Sequence, residues 1–181
     1  MLSGTLRASS RSLISVPRTV AFAQRRTVIS LSKTAYTAHA TASGAGRNGK
    51  TELDNGSLSV NLASPKEMGG SGNGQNPEQV CSPLIYMNFD DPQRNMQLFA
   101  LGYASCFLGA LQLVAKNKNV KLSEDVKIKA AVSIGEASGG FGIGVELTTI
   151  GADPALVQEA HTVCPYSRIL AEGAEVKVTA K

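Results

Sequence analysis

The chain has no tryptophan, only two histidines and only three cysteines in 181 residues, and no acidic residue before Glu52. Each scarcity excludes something. No apolar run reaches the roughly 18 residues a membrane span requires, so no span is expected. His39 and His161 have no cysteine or histidine partner at metal-ligand spacing, and no metal site is indicated. The missing early acids make the net charge of +4 misleading. Arg7, Arg11, Arg18, Arg25 and Arg26 all fall in the first 30 residues, and without them 13 basic groups face 14 acidic ones. Nucleic acid therefore has no electrostatic footprint on the body of the chain.

What the first segment does contain is arginine and serine. Residues 1–31 read as a disordered mitochondrial transit peptide, because they are basic, free of acids and lack the continuous apolar core of a secretory signal. A matrix address is a reducing one, so the cysteines are not expected to form a structural disulfide framework.

The remainder, 32–181, reads as one α+β domain. "KTAYTAHATASG" and "TELDNGSLSVNLAS" alternate as antiparallel strands about the turn "GAGRNGK". From Leu98 to about Asn117 the apolar residues recur at helical spacing and nearly encircle the axis, which marks a buried helix. "VKIKAAVSIGEASGGFGIGVELTTIG" is a hairpin. Asp153-Pro154 opens a short helix that Pro165 ends, and "AEVKVTA" is expected to close the domain as a last strand.

Two motifs suggest chemistry that their context does not support. "GAGRNG" satisfies G-x-G-x-x-G at Gly44, Gly46 and Gly49, but a strand rather than a helix follows, so no dinucleotide site is expected. "CPYS" resembles the active-site motif of monothiol glutaredoxins, but there the motif opens a helix early in the domain, whereas Cys164 follows a helix near the end of the chain. Cys106, midway along the buried helix, reads on its own as a core residue. Cys164, at a helix end before a proline, differs from it. Together the two would make a redox pair if the fold brought them together, which spacing does not decide.

Several segments, taken in order, carry a more specific resemblance: "YTAHATASGAGRNGK", "LASPKEMGGSGNGQNPEQ", "LFALGYASCFLGAL" and "AHTVCPYS". From about Lys33 onward the chain resembles the organic hydroperoxide resistance family of the OsmC/Ohr superfamily. The resemblance implies antiparallel sheets around a long central cysteine-bearing helix, in an intertwined homodimer. It also implies a thiol peroxidase with Cys106 as peroxidatic and Cys164 as resolving cysteine, Arg47 stabilising thiolate and peroxide, and Glu78 orienting Arg47 through a bidentate pair. No bound cofactor is implied. The reductant would be dihydrolipoamide or a lipoylated dehydrogenase subunit, which suits a mitochondrial matrix protein. Phe99, Tyr103, Phe107 and Leu108 are the candidate apolar wall for alkyl or fatty-acid hydroperoxides.

The resemblance breaks at residues 80–97. Asn76-Pro77-Glu78 announces a helix, yet the apolar run begins only at Leu98, and the intervening segment reads as an irregular insert. Without it the chain would run "NPEQLFALGYASCFLGAL", a cap followed at once by its helix. The insert displaces Glu78 from that register. Its eighteen codons can begin with a 5′ splice consensus after Gln79 and end in CAG at Gln97, as a retained intron would; a surface loop is the other reading. Two rival functions remain open: a non-catalytic β-rich binding domain with buried cysteines, or a family member inactivated by the insert.

Overall fold

A computed structural model describes residues 30–81 and 92–180. The leader up to residue 29 and the middle of the insert, 82–91, lie outside the described residues.

Five antiparallel strands form one sheet in the order β3-β2-β1-β4-β5: β1 Leu31–Ser43, β2 Lys50–Leu53, β3 Ser59–Asn61, β4 Lys127–Ala137 and β5 Gly140–Ile150. The first strand starts at Leu31, one residue inside the expected leader. The expected turns are present. "GAGRNG" closes β1 onto β2 through a single 3-10 turn, Gly46–Asn48, and Ser138-Gly139 joins β4 to β5, with Ala137 paired to Gly140. Gly139 has φ 84, a left-handed conformation that glycine adopts without steric cost.

Among the described residues four α-helices accompany the sheet: α1 Pro77–Cys81, α2 Pro92–Asn117, α3 Pro154–Val163 and α4 Pro165–Glu172. The long α2 lies across the strands, and the inner face of β1 explains how closely it can approach. Ala38, Ala40 and Ala42 are almost fully buried and pair with Val132, Ala130 and Ile128 of β4. Alanines on the sheet leave room for the larger Leu101, Leu108 and Leu111 of the helix, all completely buried. The helix ends in a Schellman motif: Asn119 adopts φ 55, and Val120 and Asn119 donate to the carbonyls of Ala115 and Lys116. By length and composition Gln93–Asn117 could cross a membrane, but 78% of its most apolar window is buried within the protein, as befits a core helix.

Three expectations need correction. α2 begins at Pro92 rather than Leu98, so the last six residues of the supposedly irregular insert are helical. Pro92 suits a first helical position, where its missing N–H is no loss. Met96 packs against the core, and the Gln97 amide donates to the Tyr36 hydroxyl at 3.0 Å. At the other end of the insert Val80 is also buried in the core. Second, Pro165 ends one helix and starts the next, because a proline that cannot continue α3 is pre-set for the first turn of α4. Third, "AEVKVTA" is not a strand: residues 173–180 have no regular structure, and Val176 and Val178 are 77% and 90% exposed. Alternation suits a strand, but a strand exists only where an edge hydrogen-bonds it.

Candidate active site

The two cysteines, 58 residues apart in sequence, meet in the core. Cys164 Sγ lies 3.7 Å from Cys106 Sγ, both are free thiols, and neither is more than 1% exposed. Cys106 sits mid-α2 and Cys164 occupies the junction between α3 and α4.

That junction explains the "VCPYS" string physically. Cys164 is the residue before the first turn of α4, Pro165 takes the position where no N–H is needed, and the backbone N–H groups of Tyr166 and Ser167 are left to act on sulfur. Both favour the charged form of Cys164, and Tyr166 N–H does the same for Cys106. Cys164 is lowered from 9.0 to about 6, first by its hydrogen bond with Cys106, against burial, and then with help from the Ser167 backbone and hydroxyl. Cys106 is pushed up by the same thiol contact and then by burial, while Arg47 pulls it down. Two sulfurs this close share protons: the pair releases the first readily and holds the second. Whichever sulfur carries the charge, the other's S–H donates to it across the 3.7 Å contact, and Arg47 favours the charge on Cys106.

Arg47 stands on the 3-10 turn between β1 and β2 and reaches across α2 at Gly109, one helical turn beyond Cys106. A Cβ at Gly109 would fall 2.9 Å from Arg47 Cγ, so only glycine lets the arginine stem lie there. Gln112, the next residue along that face, pins the turn by donating to the Gly44 carbonyl at 3.0 Å. Glu78 meets Arg47 through one contact, Nη2 to Oε1 at 3.3 Å, rather than the expected bidentate pair. It comes from the first turn of α1, which a capping box secures: Gln79 N–H donates to Asn76 Oδ1 at 2.7 Å, and Asn76 N–H to Gln79 Oε1 at 3.0 Å. The insert therefore does not separate Glu78 from Arg47, contrary to expectation. The insert leaves α1 as a separate helix beside α2, and the pairing survives.

Of the candidate wall, Phe99 and Tyr103 cluster with Tyr166. Ring centroids are 6.1 Å apart for Phe99 and Tyr103, and 5.6 Å for each of them with Tyr166. Phe107 and Leu108 belong to the core, with 2% and 0% exposure. Four residues were missed: Tyr166, Ser167, Gly109 and Gln112. Gly109 did leave a signal, since a glycine inside a buried helix marks a close approach. Clefts of about 550 and 450 Å³ open among the described residues, one beside Gly44 and Gln112 and the other beside Tyr36 and Gln97. Neither of these two is lined by a cysteine. Among the described residues no His/Cys/Asp/Glu group is arranged to hold a metal.

The OsmC-like family model matches residues 94–179, the stretch that holds both thiols. More particularly, the chain belongs to the organic hydroperoxide resistance family. It is 42% identical over 154 residues to the organic hydroperoxide resistance protein of Xanthomonas axonopodis pv. citri, covering 81% of this chain and 95% of that one. With organic hydroperoxide resistance protein OhrB of Bacillus subtilis it shares 34% over 152 residues, 81% of this chain and 98% of the relative. The crystal structure of the latter matches with 37% identity, 78% and 96% coverage and a TM-score of 0.37.

Proposed function

We propose that the protein is a cysteine-based peroxidase that reduces organic hydroperoxides to alcohols. The observation that carries this reading is the Cys106–Cys164 contact of 3.7 Å, with Arg47 acting on Cys106. The Cys106 thiolate attacks one peroxide oxygen, the O–O bond breaks, and the alkoxide takes a proton to leave as alcohol. Arg47 favours the thiolate and stabilises charge developing on the peroxide. Cys106 is left as a sulfenic acid, which Cys164 converts to a disulfide with release of water. A dithiol, proposed to be dihydrolipoamide or a lipoylated dehydrogenase subunit, then restores both thiols. The apolar rings of Phe99, Tyr103 and Tyr166 suit alkyl or fatty-acid substrates over hydrogen peroxide.

The leader's composition supports a mitochondrial matrix location, where lipoylated enzymes would supply the reductant. A homodimer is supported by apolar residues left in solvent. Phe141 on the edge strand is 75% exposed, and the alternating Val176 and Val178 are 77% and 90% exposed.

The test is dihydrolipoamide-dependent consumption of cumene hydroperoxide by the full chain, with Cys106→Ser as control. Turnover lost in the serine variant supports the peroxidase. A folded wild-type chain with no turnover and an inert Cys106 thiol supports a binding domain instead.

A further inference from the structure

Arg47 can assist a reaction only where its guanidinium stands, and three contacts decide that place. Its tip meets Glu78 through the single contact of 3.3 Å. Its stem crosses α2 at Gly109, where a Cβ would fall 2.9 Å from Cγ and 3.4 Å from Nε. Cys106, Gly109 and Gln112 are spaced three apart on α2, so each neighbours the next on the helix surface. The arginine stem therefore lies over the residue between the thiol and the glutamine.

The third contact is made by the backbone that carries Arg47. The 3-10 turn Gly46–Asn48 is fastened at its exit to the segment after β2: the Gly49 carbonyl accepts from Leu62 N–H at 2.9 Å, and Asn48 Oδ1 from Ser64 N–H at 3.1 Å. Those bonds leave the distance from turn to helix unset. Gln112 sets it at the entry, where its amide donates to the Gly44 carbonyl at 3.0 Å. The fit is close. Gly46, at φ 59, lies so near the Gln112 carboxamide that a Cβ there would collide with Oε1. Gly44 and Gln112 also border the cleft of about 550 Å³, so water can replace a lost amide donor and leave the turn free to drift.

We infer that Gln112 is a positioning residue for peroxide reduction: by holding the Arg47 turn at a fixed distance from α2, it keeps the guanidinium within reach of the reacting Cys106 sulfur. This rests on the peroxidase reading above, in which Arg47 assists attack by Cys106. Gln112 stands six residues from Cys106, about 9 Å along the helix at 1.5 Å per residue, so it acts through Arg47 rather than on the sulfur. Small misplacements of a charged group near reacting atoms are costly to rate.

The experiment mixes the reduced full chain with limiting cumene hydroperoxide and follows Cys106 oxidation by mass spectrometry. Wild type, Gln112→Met and Gln112→Glu are compared, each with Arg47 present and in an Arg47→Ala background. Both replacements remove the amide donor, methionine without adding charge. With Arg47 present, both should oxidise roughly 3- to 10-fold more slowly than wild type, the effect of one lost hydrogen bond, with an unfolding midpoint near that of wild type. In Arg47→Ala the same replacements should change nothing further, because residues that act through one another are not additive. A wild-type rate in Gln112→Met, or equal slowing with and without Arg47, overturns the role of Gln112. An Arg47→Ala chain as fast as wild type overturns it too, and leaves the peroxidase standing without its arginine. Wild-type Cys106 that stays reduced defeats the peroxidase reading itself, and this inference with it.

Discussion

Cys106 Sγ and Cys164 Sγ face each other at 3.7 Å in the core, in non-bonded contact. A disulfide needs about 2.05 Å, so a small side-chain movement closes the bond.

Closure should register as stability. Joining residues 58 apart in sequence restricts the unfolded chain by about 4 kcal/mol in the chain-entropy account. Peroxide-treated protein should therefore unfold at clearly higher denaturant than the reduced form, and the difference should vanish in Cys164→Ser. Equal midpoints for oxidised and reduced wild type would show that these two sulfurs do not bond.

The reduced protein should carry a pH signature of the pair. Cys164 is depressed to about 6 in the fold from 9.0, so between these values the native state holds fewer protons than the unfolded one and stability rises with pH. It is lost again as pH falls through about 6. Above 9.0 the raised Cys106 reverses the sign, because the native state then keeps a proton that the unfolded chain releases. Urea unfolding of reduced wild type, compared with the Cys106→Ser, Cys164→Ser double variant, should show a pair contribution that peaks near pH 9. A flat difference contradicts it.

Gly109→Ala separates activity from stability. Alanine favours a helix interior by about 1 kcal/mol over glycine, but its Cβ would meet Arg47 Cγ at 2.9 Å and push the guanidinium off its path. Expected is a peroxide-reduction rate lowered by about 10-fold, the effect of 1.4 kcal/mol in the barrier, with little loss of thermal stability. Wild-type turnover would mean that Arg47 does not depend on this approach.

The chain with residues 80–97 in place should turn over hydroperoxide, since Glu78 contacts Arg47 regardless of the insert. Glu78→Gln should lower that rate and leave folding nearly untouched, because an ion pair with side chains 23% and 52% exposed contributes little to stability. The origin of the segment is decided separately. Transcript reads joining the codons of Gln79 and Leu98 would mark it as a retained intron, and reads that always keep it would make it protein.

Much of this protein is determined locally, and that much is legible in the sequence. Alternation over β1 and β4, helical spacing over α2 and the cap-then-proline starts at Asn76 and Asp153 each depend on neighbours within a few residues. The family motifs named Arg47, Glu78, Cys106 and Cys164 as a set. Tertiary structure alone decided what depends on distant partners. "AEVKVTA" has a strand's pattern but pairs with neither edge of the sheet, and the insert's last turns joined α2 because Met96 and Gln97 found a core and a tyrosine. The Ser167 and Tyr103 hydroxyls came within 2.9 Å only when α4 docked on α2. Above all, no spacing in the chain could bring two thiols 58 residues apart to 3.7 Å. That required burying one helix beneath another, where burial, a helix start and Arg47 act together on the same two sulfurs.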